Sequence, residues 1–268
     1  MSAIGILGAG GRMGQTLVRL IAESSTHSLA AAVVHPDSAL LGSDAGVMVG
    51  HDPIGVKLTH DTAQAAAMAD VLIDFTLPDA LEANIEAAVT AQTPLVVGTT
   101  GIGSVGLAAL DQASQHIALV YAANYSSGVT LMLRLTRLAA AALDADYDVE
   151  VLEAHHRLKR DAPSGTAKAL GEQIASAREV DLATHAVYAR EGITGERGPG
   201  DIGFQTLRGG DIVGEHTVMF AGEGERIELT HRASSRETFA RGALRAAQWV
   251  IDQPVGRYDM EDVLGLRA

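Results

Sequence analysis

The chain has 268 residues, 47% of them hydrophobic and 20% charged, which is material for one large or two modest packed domains and not for a disordered chain. A formal net charge of −13 argues against nucleic acid as a partner, because that partner needs cationic surface to neutralise its phosphates. The absence of cysteine excludes disulfide scaffolds, zinc ribbons, iron–sulfur sites and thiol nucleophiles. No apolar run approaches the ~18 residues of a membrane span. The segment Met1–Leu7 lacks the basic start of a signal peptide, so a cytoplasmic protein with no membrane partner is expected.

In chain order, Ile4–Leu7 reads as a strand and Gln15–Ala22 as a helix with Leu17, Leu20 and Ile21 on one face. Leu29–Val34 is a strand, and Asp61–Met68 a short helix that Asp61 can cap. Val71–Phe75 (strand), Asp79–Ala91 (helix), Leu95–Gly98 (strand), Leu107–Gln115 (helix) and Ile117–Tyr121 (strand) follow. Short apolar strands alternating with helices predict a mostly parallel sheet covered on both faces. After Asn124 the pattern changes. A long helix is predicted over Ser127–Leu143, a strand over Val149–Ala154 and a helix over 164–177. From Ile202 the chain looks antiparallel. Gly209–Asp211 separates Phe204–Arg208 from Ile212–Phe220, and Gly222–Gly224 separates that run from Arg226–Thr230; both read as hairpin turns. Residues 192–201 look like a mobile loop, and Glu237–Ile251 like a last helix. The expected class is α/β: an N-terminal Rossmann-type parallel sheet plus a second α+β domain with a mixed, largely antiparallel sheet.

The first strand runs into Gly8-Ala9-Gly10-Gly11-Arg12-Met13-Gly14 and a helix follows at once. Gly8 permits the tight turn, Gly10 and Gly11 allow close approach of a pyrophosphate, and Gly14 lets the helix pack on the strand. The helix N-terminus supplies free N–H groups and partial positive charge. The spacing is Gly8-x-x-Gly11-x-x-Gly14, since Met13 stands where the commoner fingerprint has its third glycine. The acidic ribose ligand expected at the end of the second strand is missing, with Val33, Val34 and His35 there instead. Arg12 and His35 can attract a 2′-phosphate, which favours NADPH or tolerance of both NADPH and NADH. Three further strand ends, at Asp74-Phe75-Thr76, Gly98-Thr99-Thr100-Gly101 and Ala122-Ala123-Asn124-Tyr125-Ser126, offer a second wall for a dinucleotide.

The most distinctive segment is Glu153-Ala-His155-His156-Arg157-Leu158-Lys159-Arg160-Asp161-Ala-Pro163-Ser164-Gly165-Thr166-Ala-Lys168. It places two His, two Arg and two Lys within residues 155–168 of an acidic chain, a repulsive arrangement unless an anion sits on it. The helix start at Pro163–Thr166 adds N–H groups and the Thr166 hydroxyl. Cations on one side and a helix N-terminus on the other suit a small dicarboxylate. Adjacent histidines on a strand point to opposite faces, and no third ligand stands at familiar spacing, so no metal is expected. These residues alone leave open another two-domain dehydrogenase of a small amino or hydroxy acid, and a cofactor-binding sensor without turnover.

With these motifs the chain resembles the 4-hydroxy-tetrahydrodipicolinate reductase (dihydrodipicolinate reductase) family. The resemblance runs from Gly8–Gly14 to Ser234-Ser-Arg-Glu-Thr-Phe239 and rests most specifically on Glu153–Ala167, with Gly98–Gly101 and Ala123–Ser126 in agreement. It implies a dinucleotide-binding domain over 1–126, completed by 236–268, and a substrate-binding and oligomerisation domain over 127–235 that builds a homotetramer. It implies NAD(P)H-dependent reduction of 4-hydroxy-tetrahydrodipicolinate in the diaminopimelate route to lysine. By the resemblance, His155 is the proton donor and acceptor and Lys159 a proton donor. His156, Gly165 and Thr166 hold carboxylate oxygens. The cofactor touches Gly8, Ala9, Gly10, Gly11, Arg12, Met13, Gly98, Thr99, Thr100, Ala122, Ala123, Asn124 and Tyr125. Tyr125 stands where Phe is commoner, a difference expected to matter little.

Overall fold

The computed structural model describes residues 1–143 and 145–267. In chain order the elements are β1 (Ser2–Leu7), α1 (Arg12–Ala22), β2 (His27–Val33), α2 (Ala45–Met48), β3 (Leu58–Thr59), α3 (Thr62–Met68), β4 (Val71–Asp74), α4 (Leu81–Ala91), β5 (Leu95–Val97), α5 (Gly103–Ala113) and β6 (Ala118–Tyr121). Then come α6 (Ser127–Ala142), β7 (Asp148–His155), α7 (Gly165–Ala177), α8 (Leu182–His185), β8 (Ala186–Val187), β9 (Ile202–Arg208), β10 (Gly214–Ala221), β11 (Arg226–Ala233), α9 (Glu237–Val250), β12 (Gly256–Tyr258) and α10 (Met260–Val263). Two compact units result, Met1–Ser127 with Glu237–Ala268, and Gly128–Arg236. Among the described residues no helix is long and apolar enough to cross a membrane.

The first unit is a seven-stranded parallel sheet in the order β12-β6-β5-β4-β1-β2-β3. Its central strands are apolar throughout because both faces are covered. On one face α1 and α9 bury Leu17, Val18, Ile21, Ala243, Ala247 and Val250 against Ile4, Ile6 and Ile73. On the other, α3, α4 and α5 bury Ala65, Leu81, Ile85 and Leu110 against Leu7, Leu72 and Leu95. The chain winds outward from β1 in both directions, so the order reverses between β1 and β4. The ends of those two strands form the crevice in which such sheets take ligands.

The expected α/β class is borne out. Helices α1 and α5 start three and four residues earlier than the apolar periodicity suggested, because glycine-rich first turns carry no apolar signal. Asp61 caps α3 as expected, accepting from the Gln64 N–H at 2.8 Å. The short elements α2, β3, α8, β8, β12 and α10 have no counterpart in the sequence reading.

The second unit is a five-stranded mixed sheet in the order β11-β10-β7-β9-β8. Pairing is antiparallel from β11 through β10 to β7 and parallel from β7 through β9 to β8. Helix α7 lays Ala167, Leu170 and Ile174 on Val149, Val151, Phe204, Val218 and Phe220. The turn at Gly222–Gly224 closes a true hairpin, but the one expected at Gly209–Asp211 does not exist. There β7 is inserted between β9 and β10 and hydrogen-bonds to both. The glycines mark a reversal of direction, which is right, and carry no information about which strand lies alongside. The reversing segment instead caps the end of β7, with Gly209 N–H donating to the His155 carbonyl at 2.9 Å and Arg157 N–H to the Gly210 carbonyl at 3.2 Å. Residues 192–201 form no helix or strand. Ile193 is fully exposed, but Arg197 ties the segment to Asp148 at 2.9 Å and to Glu150.

Candidate active site

In the first unit, Gly8 has φ of +81°, which a side chain would disfavour, and its carbonyl accepts the Gly11 N–H at 3.0 Å. A Cβ on Gly14 would stand 2.2 Å from the Gly8 carbonyl oxygen, so only glycine lets α1 seat against the turn. Gly10 and Gly11 line the crevice, with Arg12 and Met13 in the first turn of α1. Ala9 is different: it is buried and its N–H goes to the Val33 carbonyl at 2.8 Å, so it holds the turn to β2.

Two adjoining cavities run along the strand ends and share Gly11, Phe75, Thr76 and Leu77. One, of about 590 Å³, is bounded by Gly8, Gly10, Val34, His35, Ser38 and His60. The other, of about 560 Å³, is bounded by Arg12, Met13, Gly98, Thr100, Asn124 and Tyr125, with Ala123 beside them. Volumes of this order suit the two halves of a dinucleotide. Gly98 makes room for the Phe75 ring, since a Cβ there would lie 2.1 Å from it. Thr99 is buried and lines neither cavity; its hydroxyl donates to Asp74 at 3.1 Å. Ala122 sits at the mouth of β6 with its N–H on the Val97 carbonyl.

Asp74 went unassigned in the sequence. It is wholly buried at the end of β4, where one oxygen accepts from the Thr76 N–H and hydroxyl and from Thr99, and the other from the Asn84 amide at 2.9 Å. This carboxylate welds the loops after β4 and β5 into one wall. A polar residue ending an apolar strand was the signal that could have found it.

In the second unit, residues 153, 155, 206, 208 and 216 lie on one face of the sheet, brought together by the pairing of β7 with β9 and β10. Glu153 is buried beneath the cationic segment. Its Oε2 is 2.6 Å from His155 Nδ1 and accepts from Arg208 at 2.8 Å. Its Oε1 accepts from Arg208 at 2.9 Å and from the Ser164 N–H at 3.1 Å. Lys159 pairs with Asp161 at 2.9 Å. The repulsion expected of this segment is thus relieved in part from within, by Glu153 and Asp161, while Arg157 and Arg160 stay exposed. Ser164 is the N-cap of α7, its Oγ accepting from the Ala167 N–H. Gly165 and Thr166 occupy the first two helical positions, at the positive end of the helix dipole. His156 follows the strand end with its Nδ1 buried and unpartnered among the described residues.

The electrostatics follow the geometry. Burial pushes the Glu153 carboxyl up, but hydrogen bonds from Arg208 and His155 outweigh it and hold the group below the usual range. Burial pulls His155 below its ordinary value, and Glu153 resists that while Lys159 and Arg208 add to it. His216, unassigned in the sequence, packs edge-on to His155 with ring centres 5.1 Å apart and lies 2.9 Å from Ser164 Oγ. Burial, and then the neighbouring His155, push it down to about 4. Arg208 and His216 were beyond sequence reasoning because only the register of β9 and β10 places them here.

A family model described as the N-terminus of dihydrodipicolinate reductase matches residues 2–125, and one described as its C-terminus matches residues 128–264. The chain belongs to the dihydrodipicolinate reductase family. It is 56% identical over 263 residues to the 4-hydroxy-tetrahydrodipicolinate reductase of Alkalilimnicola ehrlichii, with 98% of each chain covered. It is 51% identical, again over 98% of each, to that of Halorhodospira halophila. Among solved structures it is similar to a dipicolinate-bound dihydrodipicolinate reductase from Paenisporosarcina sp. TG-14, with a TM-score of 0.79, 26% identity and 97% of each chain covered. The family resemblance read from Glu153–Ala167 is therefore borne out across the whole chain.

Proposed function

We propose that the chain reduces 4-hydroxy-tetrahydrodipicolinate to tetrahydrodipicolinate with NADPH or NADH, in the diaminopimelate route of lysine biosynthesis. Family membership over nearly the full length supports the reaction. The observation that carries the residue roles is the grouping of an imidazole, an ammonium and a helix N-terminus around residues 155–166.

The nicotinamide cofactor, when bound, supplies a hydride. The residues that would hold it are Gly8, Gly10, Gly11, Arg12 and Met13 at the turn, His35 beside the adenosine half, and Gly98, Thr100, Ala123, Asn124 and Tyr125 along the second cavity. Ala9, Thr99 and Ala122 serve from behind by shaping that wall. The chain fits the group because Gly8 and Gly14 clear the turn and the described lining of the cavity beside His35 holds no carboxylate, Asp37 lying outside that lining at 3.6 Å from His35 Nδ1; such a lining accommodates either a hydroxyl or a 2′-phosphate.

In the second unit, Gly165 and Thr166 hold carboxylate oxygens of the substrate with N–H groups at the positive end of α7, and His156 holds another. Loss of water leaves the substrate a conjugated imine, so reduction places negative charge on the adjoining carbon and nitrogen. His155, with Nδ1 on Glu153, presents Nε2 as the acid that protonates that carbon. Lys159 neutralises the developing charge by exchanging Asp161 for substrate, or donates a proton itself. A homotetramer in the cytoplasm belongs to the same reading, supported by Leu152, Leu207 and Met219 on the sheet face away from α7.

The test is loss of NAD(P)H absorbance dependent on freshly made 4-hydroxy-tetrahydrodipicolinate. His155→Gln should lower kcat about 10²-fold while the dissociation constant for NADH stays within twofold. Near-normal turnover in that variant would remove His155 from the chemistry, and no turnover by the unaltered protein would remove the reaction.

A further inference from the structure

We propose that Glu153 is a positioning residue that holds the His155 imidazole and the N-terminal turn of α7 as one unit, with Arg208 as its clamp. This rests on the reading of His155 as the acid and of α7 as the carboxylate anchor.

The geometry is specific. One oxygen of Glu153 touches His155 Nδ1 and the other touches the N–H of Ser164, the residue that caps α7. The acid and the anchor therefore share one rigid support between them. Arg208 bonds both oxygens at 2.8 and 2.9 Å and also reaches the Asp161 carbonyl, so it closes the loop that carries Lys159 onto the same carboxylate. Thr206 adds a contact at 3.3 Å. A carboxylate this deeply buried is costly to desolvate, and an apolar residue would pack the strand face at less expense. What an apolar residue cannot do is fix a tautomer. A carboxylate facing Nδ1 keeps the proton there and leaves Nε2 to exchange protons. Gly214 keeps that second nitrogen uncrowded, because a Cβ on it would lie 3.1 Å from His155 Nε2.

The charged and titratable groups facing His155 are Glu153 on its own strand, Lys159 in the following loop, Arg208 on β9 and His216 on β10. Of these only Glu153 favours the imidazolium, opposing the effects of burial and of the two cations. Its removal must therefore lower the pH at which His155 loses its proton, and the active acid form becomes scarcer at neutral pH.

The experiment is kcat/KM against pH for Glu153→Gln, with dipicolinate and NADH binding measured alongside. The expected result is a descending limb moved to lower pH by about one unit. Activity is then about tenfold down above the limb and recovers as pH falls. Dipicolinate binds several-fold more weakly and NADH affinity is unchanged. A uniform loss at every pH with the limb unmoved would reduce Glu153 to a strand staple and overturn the proposal. Nitrogen-15 NMR of histidine in the unaltered enzyme provides an arm independent of how the variant folds. Neutral His155 should carry its proton on Nδ1, and a proton on Nε2 would overturn the proposal. If His155→Gln is inactive while Glu153→Gln keeps the normal profile, only the role of Glu153 falls.

Discussion

Val97 ends β5 and Val120 is the last residue but one of the neighbouring β6, and a single phenol, that of Tyr125, reaches both carbonyls, at 2.8 and 3.1 Å. The ring is buried edge-on to Phe75, and burial pushes the phenol well above its ordinary pKa, so it remains a donor. The phenol thus adds a pin between β5 and β6 at the lip of the second cavity. Tyr125→Phe should cost about 1 kcal/mol in urea unfolding, the usual net worth of a buried hydrogen bond. The ring stays in place, so NADH affinity should change less than twofold. An unchanged midpoint would mean that the two carbonyls are satisfied without the phenol. Gly14 teaches the complementary lesson, because its role was readable in advance: a glycine three residues after Gly11 at a strand–helix turn leaves close packing as its purpose.

At the scale of elements, the N-terminal turn of α7 separates holding from binding. Ser164 is buried, caps the helix and meets His216; Thr166, two residues on, is half-buried. Ser164→Ala should cost roughly 1–2 kcal/mol, from a lost cap and an imidazole left without its partner. Thr166→Ala should cost less stability than Ser164→Ala yet raise the KM for 4-hydroxy-tetrahydrodipicolinate several-fold with kcat kept. Thermal melts and steady-state kinetics on the two variants decide it; equal effects of both in either assay would refute the division. The position of this turn was legible from Pro163-Ser164-Gly165-Thr166, since cap chemistry is local. The neighbours of β7 were not. Arg208 lies 55 residues beyond Glu153, and its arrival there depends on β7 inserting between two strands that a glycine pair seemed to join. For the same reason His155 and Lys159 could be picked out from one segment, whereas Glu153 looked like one more charge until the register of three strands gave it donors.

For the molecule as a whole, two effects of acid oppose each other. With a formal charge of −13, lowering the pH toward 5 removes repulsion among carboxylates and should stabilise the fold. Against this stand His27, His155, His216 and His231, all held below their ordinary value first of all by burial. Folded His216 stays neutral down to about 4, whereas in the unfolded chain it takes up a proton near 6.5. Between those values the unfolded state binds more protons, so stability falls as pH falls. The slope from this one residue approaches about 1.4 kcal/mol per pH unit. Surface repulsion is spread over distances that salt screens beyond about 8 Å at physiological ionic strength, and the buried imidazoles are shielded from that screening, so the destabilising effect wins. Urea unfolding of the second unit between pH 7 and 4.5 should therefore show falling stability, with a slope that 0.5 M salt leaves largely intact. His216→Gln should flatten the slope by close to one proton's worth whatever it does to stability at pH 7. A curve rising toward pH 5, or a variant with the full slope, would show that the network under His155 is not where the molecule meets acid.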